Sequence, residues 1–252
     1  TPASLASEES PEPPVIIAHM LPDLLNLYGD GGNVRILEQR LRWRGIPVEV
    51  RRIQHGEAVD FSQVDLVFMG GGPDREQKLA SEQLLAMRDE LAVYVEGDGP
   101  LLAICGGYQM LGEYYKTWDG VQLDFIGAIG VHTIGAKERM IGNYMFRTTP
   151  ESGDTVVVGF ENHSGKTYLS EQVAPLGMML SGNGNNGEDK TEGARYKNVF
   201  GTYSHGSLLP KNPVLCDFIL QTALNHRYDG AEPLAPLDDT LELNAHRYMQ
   251  ER

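Results

Sequence analysis

The 252-residue sequence has few cysteines, few positive charges and no long apolar runs. Its two cysteines, Cys105 and Cys216, form neither a disulfide framework nor a paired-cysteine zinc motif, so we expect free thiols and no metal site. Lys and Arg number 21 against 35 Asp and Glu, and the formal charge of −14 disfavours nucleic acid and anionic membranes as partners. No apolar run approaches the roughly 20 residues that span a bilayer, and no signal-peptide pattern opens the chain. We therefore expect a cytoplasmic protein.

Composition divides the chain into three parts. Residues 1–14 are rich in Pro, Ser and Glu and are predicted to form a disordered tail. Between residues 15 and 228, short apolar runs alternate with amphipathic stretches, which predicts one α/β domain with a mostly parallel central sheet flanked by helices. Shorter strands after Trp118 are expected to add an antiparallel edge to that sheet. Residues 229–252 form a C-terminal extension that either docks on a partner or frays.

The strongest chemical feature is residues 101–110, LLAICGGYQM, where an apolar strand runs into Cys105 and then into a helical pattern. Such an elbow projects its central side chain above the sheet edge and needs small neighbours, which Gly106 and Gly107 provide. It also places the sulfur at a helix N-terminus, where the thiolate is favoured. A small buried hydrophobe is the alternative role for Cys105. The two glycines favour a nucleophile.

Two further features could complete a site around this thiol. The run GGGPDR at residues 70–75 follows another buried strand, so its backbone N–H groups can approach a ligand as half of an oxyanion hole, with the Gly106 N–H as the other half. A plain strand-to-helix turn is the alternative. A thiolate nucleophile also needs a base at another strand end. His205 fits best, and His163 is its competitor.

Two phosphate-binding patterns fail on inspection. The segment SGKT at residues 164–167 lacks the leading glycine of a phosphate-binding loop, since Phe160 stands at that position. The segment YGDGGN at residues 28–33 does not spell the dinucleotide fingerprint. We therefore expect no nucleotide cofactor on this chain.

These motifs together resemble class I glutamine amidotransferases, the triad-type class. Residues 105–109 are similar to the C-x-G-x-Q elbow of that class, with a GGGP loop before it and a histidine after it in the same chain order. The segments YGDGGNVRIL, GGGPDREQ, GFENHSGKTYL and GTYSHGSLLPKNP resemble its cobyric-acid-synthase-like branch. Within that branch, the resemblance is closest to the glutaminase subunits of lipid II isoglutaminyl synthases. It spans about residues 15–228.

The resemblance implies a role for each candidate residue. Cys105 would attack the side-chain amide of glutamine, and His205 would act as acid and base in turn. Gly71 and Gly106 would supply the oxyanion N–H groups. Gln109 would position the substrate, and Arg139 would pair with the substrate carboxylate through two parallel hydrogen bonds. A solvated loop cation is the alternative role for Arg139.

The resemblance also implies a partner. Ammonia would pass to a Mur-ligase-like synthetase in a heterodimer, and that partner would hold ATP and Mg²⁺ and amidate D-glutamate of lipid II in peptidoglycan synthesis. An amidotransferase that serves another acceptor, such as a corrinoid, is one alternative function. A non-enzymatic binding module is another, and the intact Cys105 and His205 argue against it.

One position departs from the class pattern. Many class I domains carry a carboxylate two residues after the catalytic histidine, where this chain has Ser207. The group that orients His205 is then a distant residue of this chain, a backbone carbonyl or a carboxylate from the partner subunit. We favour the partner carboxylate. An unassisted cysteine–histidine dyad is the alternative.

Overall fold

The computed structural model describes residues 13–72, 74–150, 153–228 and 230–251, so the predicted tail lies almost wholly outside the described residues. The strands are β1 (Val15–Met20), β2 (Val48–Ile53), β3 (Leu66–Met69), β4 (Leu101–Ile104), β5 (Tyr114–Lys116), β6 (Gln122–Asp124), β7 (Val131–Thr148), β8 (Thr155–Leu169), β9 (Gly177–Ser181), β10 (Thr191–Glu192), β11 (Ala194–Tyr196) and β12 (Val199–Thr202). The helices are α1 (Gly31–Trp43), α2 (Asp74–Ala86), α3 (Arg88–Glu96), α4 (Gly106–Leu111), α5 (Pro213–Arg227) and α6 (Thr240–Gln250).

The central sheet has the strand order β11-β12-β4-β3-β1-β2, and its strands are parallel except for β11. Every residue of β1, β3, β4 and β12 is buried, because a parallel sheet is covered on both faces. This arrangement confirms the predicted fold class. The register pairs Ile104 with Thr202 and Ala103 with Met69, so the carboxyl ends of these strands meet at one edge. The segments that follow them therefore converge there.

The remaining strands among the described residues form a second six-stranded sheet. Its centre is the long antiparallel pair of β7 and β8, which runs from Val131 opposite Leu169 to Thr148 opposite Thr155. The prediction that the second half adds an antiparallel edge to the central sheet is correct only for β11. Strand β12 does join the central sheet but runs parallel to β4, whereas β6 to β10 belong to the second sheet, because β7 and β8 pair with each other along most of their length.

The helices differ from the sequence prediction at two places. The sequence pattern predicts one helix over about residues 75–95, whereas the structure has two, α2 and α3, which meet at Met87. The helical pattern after Cys105 predicts a helix from about Gly106 to Tyr115, but α4 ends at Leu111 and β5 begins three residues later. No helix within the described ranges is long and apolar enough to cross a membrane.

The C-terminal extension packs on the domain itself. The Arg40 guanidinium, which is buried, binds Asp217 of α5 and Asp239 at the start of α6. His246 of α6 also contacts the Lys211 carbonyl through Nδ1 at 2.8 Å. These contacts join α6 to the face formed by α1 and α5.

Candidate active site

Cys105 occupies a strained elbow between β4 and α4. Its backbone φ of +50° and ψ of −105° lie where residues other than glycine are rare. The Cys105 N–H donates to the Thr202 carbonyl at 2.8 Å, and the Cys105 carbonyl accepts from the Gln109 N–H at 2.9 Å. The neighbouring strand and the first helical turn therefore hold the residue in this conformation. Backbone strain of this kind is concentrated at functional sites.

The two glycines after Cys105 are needed for different reasons. A Cβ at Gly107 would lie 2.7 Å from the Gly70 carbonyl oxygen, which is rigid backbone. A Cβ at Gly106 would lie 2.6 Å from Nε2 of Gln77, the end of a flexible side chain. The close packing of the elbow against the loop after β3 thus requires glycine most strictly at position 107.

His205 lies beyond the end of β12 and faces Cys105. The backbone N–H of His205 donates to the Phe160 carbonyl at 2.8 Å, and the imidazole is fully buried. Burial alone lowers the pKa of His205, but the contacts with the Cys105 thiol and the Asp30 carboxylate outweigh it and raise that pKa to about 10. A protonated imidazole at neutral pH stabilises a thiolate beside it. The structure therefore brings the predicted nucleophile and base together.

His163, the competing base, has a different environment. Its ring stacks on Tyr203 with centroids 3.6 Å apart, and its Nδ1 lies 2.8 Å from the Gly165 carbonyl oxygen. Its Nε2 is 3.7 Å from Glu161 Oε2. His163 lines the same cleft as Cys105, but its polar partners, Gly165 and Glu161, lie on β8 of the second sheet. His205 is the histidine that contacts the thiol.

Asp30, immediately before α1, is a site residue that the sequence analysis missed. Its carboxylate is fully buried, and Oδ1 lies 3.9 Å from Nδ1 of His205. The other oxygen, Oδ2, accepts a hydrogen bond from the Gly71 N–H at 2.7 Å. The available signal was the YGDGGN segment, which the sequence analysis compared only with the dinucleotide fingerprint. An acidic residue between glycines after a buried strand is also a candidate site residue in its own right.

Ser207, which stands where many class I domains have a carboxylate, has a contact of its own. Its hydroxyl donates to the Gly29 carbonyl at 2.8 Å. A Cβ at Gly32 would lie 2.3 Å from the Ser207 oxygen, so the two segments pack closely. Ser207 thereby ties the segment after His205 to the turn that carries Asp30.

The expected role of Gly71 conflicts with its geometry. Gly71 does lie beside the thiol and the imidazole, since a Cβ there would be 3.3 Å from Cys105 Cβ and 3.3 Å from His205 Cε1. Its N–H, however, is directed to Asp30. In this conformation Gly71 is therefore not an open oxyanion donor, because the buried carboxylate already uses its N–H.

A cleft of about 1150 Å³ opens over Cys105, and its walls include residues of the second sheet. Gln109 and Arg139 both line it. The Gln109 amide donates to the Tyr203 hydroxyl at 3.0 Å, whereas Arg139 donates through Nε and Nη2 to the Asn162 side-chain oxygen at 3.0 and 2.7 Å. Asn162, which the sequence analysis also missed, thus holds the exposed guanidinium at the cleft.

Cys216 has the opposite environment to Cys105. It lies fully buried in α5, where burial raises the pKa of its thiol. A neutral buried thiol is a poor nucleophile. The apolar helical neighbours of Cys216 in the sequence, Val214, Leu215, Phe218 and Ile219, predict this core placement.

A thiol on a strained elbow that faces a buried imidazole, at the carboxyl edge of a mostly parallel sheet, is the arrangement of a triad-type amidotransferase. The family model described as the CobB/CobQ-like glutamine amidotransferase domain matches residues 16–213. The chain belongs to this family.

Individual relatives agree with the family. The GatD subunit of lipid II isoglutaminyl synthase (glutamine-hydrolyzing) from Staphylococcus aureus is 40% identical over 238 residues, which cover 94% of this chain and 95% of that protein. Cobyric acid synthase from Listeria innocua is 30% identical over 165 residues, which cover 63% of this chain and 31% of that protein. Among solved structures, PurLQS from Thermotoga maritima has a TM-score of 0.58 at 16% identity, covering 86% of this chain and 100% of that chain. The structural match supports the fold.

Proposed function

We propose that this chain is the glutaminase subunit of a lipid II isoglutaminyl synthase. The proposal is supported by the Staphylococcus aureus relative, which matches almost the full length of both chains. The cobyric acid synthase relative is matched over 31% of its own length, so a corrinoid acceptor has weaker support. The observation that carries the enzymatic part is the contact of Cys105 with the buried His205 at one cleft.

Glutamine hydrolysis follows from this pair in two steps. The Cys105 thiolate attacks the side-chain amide carbon of glutamine, and the imidazolium of His205 gives its proton to the departing nitrogen, so that ammonia leaves and a thioester remains. Water then attacks the thioester carbon while His205 takes its proton. Glutamate leaves, and its departure restores the thiolate beside a protonated imidazole.

The negatively charged oxygen that forms in each step needs hydrogen-bond donors to stabilise it. The Gly106 N–H at the start of α4 is the first, aided by the helix N-terminus. Gly71 can supply the second only if its peptide turns from Asp30 toward the cleft when glutamine binds. Removing one such donor typically costs about 3 kcal/mol of transition-state stabilisation.

The substrate carboxylate pairs with Arg139 in this proposal. A guanidinium binds a carboxylate through two charge-assisted hydrogen bonds, and Asn162 holds Arg139 at the cleft for that contact. Gln109, fixed by Tyr203, lies deeper in the same cleft and positions the amide end of the substrate.

Ammonia released at Cys105 would be used on a different subunit. Forming an amide on a carboxylate requires that ATP first activates that carboxylate, and we propose that ATP and Mg²⁺ bind a Mur-ligase-like partner subunit. The partner would amidate the D-glutamate α-carboxylate of the lipid II stem peptide with the ammonia released from Cys105.

Reconstitution tests this division of labour. The isolated chain, the candidate synthetase and the mixture are each supplied with glutamine, ATP, Mg²⁺ and lipid II, and amidated lipid II is measured by mass spectrometry. We expect product only from the mixture, with none when Cys105→Ala replaces the wild-type chain. Free ammonium chloride should restore product to that variant mixture. Amidation by the isolated chain would contradict the two-subunit proposal.

A further inference from the structure

We propose that Trp118 is a positioning residue for Arg139, the residue that binds the substrate carboxylate in the proposed function. Trp118 acts through residues 136–139 of β7, which we call the substrate arm because Arg139 lies at its end. This inference rests on the proposed glutaminase and adds a group that sets the affinity of its cleft for glutamine. It gives a role to a tryptophan that is 61% exposed.

The substrate arm is an irregular part of the pairing between β7 and β8. The register of the two strands shifts between Gly135 and Met140, so that four residues of β7 lie opposite one residue of β8, Ser164. Regular backbone pairing with β8 therefore does not fix the arm. Lys137 and Arg139, two of its residues, line the cleft. The position of Arg139 then depends on the side-chain contacts that the arm makes.

Side-chain contacts hold the substrate arm on two sides. On the β8 side, the Asn162 side-chain oxygen accepts from Nε and Nη2 of Arg139. On the side of the β5–β6 hairpin, the Lys137 ammonium lies 4.5 Å from the centroid of the Trp118 ring. A cation over the face of an indole is attracted to the negative face of the ring, and tryptophan is the best aromatic side chain for this contact. Trp118 therefore anchors the arm two residues before Arg139.

The turn between β5 and β6 holds the backbone of Trp118 in place. The Thr117 N–H donates to the Val121 carbonyl at 2.8 Å, and the Val121 N–H donates to the Thr117 hydroxyl at 2.9 Å. The start of the arm packs on the same hairpin, since a Cβ at Gly135 would lie 2.7 Å from the Tyr115 hydroxyl and 3.1 Å from the Trp118 nitrogen. The hairpin is thus fixed against the start of the arm, and the ring contact extends this support along it.

The alternative role for an exposed tryptophan at a cleft mouth is docking of the partner subunit. Val121 and Leu123 of the same hairpin are also exposed. A docking residue would change the activity of the complex but not the affinity of the isolated chain for glutamine. The contact of Trp118 with Lys137, on the strand segment that carries Arg139, favours the positioning role. The two roles therefore predict different results in the isolated chain.

Trp118→Ala in the isolated chain is the first test. We expect KM for glutamine to rise about two- to fivefold, the factor that corresponds to an exposed cation–π contact, while kcat changes by less than about twofold. Trp118→Phe keeps an aromatic face and should raise KM less, and Lys137→Arg keeps the cation and should stay close to wild type. Calorimetry of glutamine binding, with each substitution in a Cys105→Ala chain, should give the same ratios as Kd values without turnover.

A double-mutant cycle distinguishes positioning from a direct or structural effect. If Trp118 acts through Arg139, then Trp118→Ala should not raise KM further once Arg139→Ala is present. A tryptophan that touched glutamine itself, or that only stabilised the fold, would raise KM by the same factor in both backgrounds. Trp43→Ala is the matched control, because Trp43 is also exposed but lies at the end of α1, outside the cleft. It should keep the wild-type kcat and KM.

The outcomes separate this inference from the proposed function. If Trp118→Ala leaves KM and Kd unchanged, or raises KM equally with and without Arg139, the positioning role is refuted while the glutaminase stands. A loss of activity that appears only in the presence of the synthetase would also refute it and would assign Trp118 to docking. If the wild-type chain hydrolyses no glutamine, alone or with its synthetase, the proposed function fails and this inference fails with it.

Discussion

The two sheets of this protein contribute different parts of one site. The parallel sheet supplies the two reacting groups of the proposed chemistry, Cys105 and His205, and both are buried at its carboxyl edge. The antiparallel sheet supplies Arg139 and Asn162, which lie on β7 and β8 near the cleft mouth. Reaction groups thus sit where the packing is rigid, and the recognition groups sit where a substrate can reach them.

Because of this difference, we expect substitutions in the two sheets to change different kinetic constants. Changes in the parallel half should act on kcat, because its residues form the transition-state machinery. Changes in the antiparallel half should act on KM, because its residues bind the part of glutamine that does not react.

The largest effect is expected from Cys105→Ala. Without the nucleophile no thioester forms, so kcat for glutamine hydrolysis should fall by at least about 10³-fold. Cys216→Ala is the matched control and should retain wild-type kcat and KM, since that thiol is in the core. The measurement is ammonia release by a coupled assay. Substantial activity in the Cys105 variant would place the chemistry elsewhere.

The next largest effect is expected from a substitution in the antiparallel sheet, Arg139→Ala. Arg139→Ala removes charge-assisted hydrogen bonds worth about 1.5–3 kcal/mol, so KM for glutamine should rise about 10- to 100-fold with a smaller change in kcat. Arg147→Ala, an exposed arginine on the same strand, provides the control and should leave KM unchanged. A fall in kcat with KM unchanged would show that Arg139 acts on the transition state. It would contradict the separate roles given to the two sheets in reaction and in substrate binding.

A stability effect should distinguish the two glycines of the elbow. Gly107→Ala forces a Cβ against the Gly70 carbonyl and should cost about 1–3 kcal/mol, whereas Gly106→Ala meets the movable Gln77 side chain and should cost less. Thermal melting of both variants measures this, with a shift of about 2–4 °C for each kcal/mol. Equal shifts would mean that the loop after β3 moves as readily as a side chain.

The smallest effect is a pH dependence of stability in the parallel half. The pKa of His205 is raised from 6.5 to about 10, so protonation stabilises the fold fully below pH 6.5, and this contribution is lost as the pH rises through 10. The stability difference between wild type and His205→Asn should therefore shrink over that window. Chemical denaturation at several pH values measures it. A difference that grows with pH would mean that His205 is neutral in the fold.

The sequence revealed more of the parallel half than of the antiparallel half, for physical reasons. Fully buried strands such as β4 are continuous apolar runs, and the elbow at Cys105 is a local motif, so both could be predicted. Asp30 could not, because its partner His205 is distant in sequence and only the fold brings the two together. Likewise, the pattern of polar and apolar residues in a strand does not encode whether that strand joins the central sheet or pairs elsewhere, as β7 and β8 pair with each other.

The most direct test of the central claim is labelling with a glutamine-mimicking diazoketone. Such a reagent needs a bound conformation like that of glutamine and a thiolate in reach, so peptide mapping by mass spectrometry should find one adduct, on Cys105. Excess glutamine should protect it, and Arg139→Ala should slow it. An adduct on Cys216, or labelling of Cys105 that glutamine does not slow, would contradict the account.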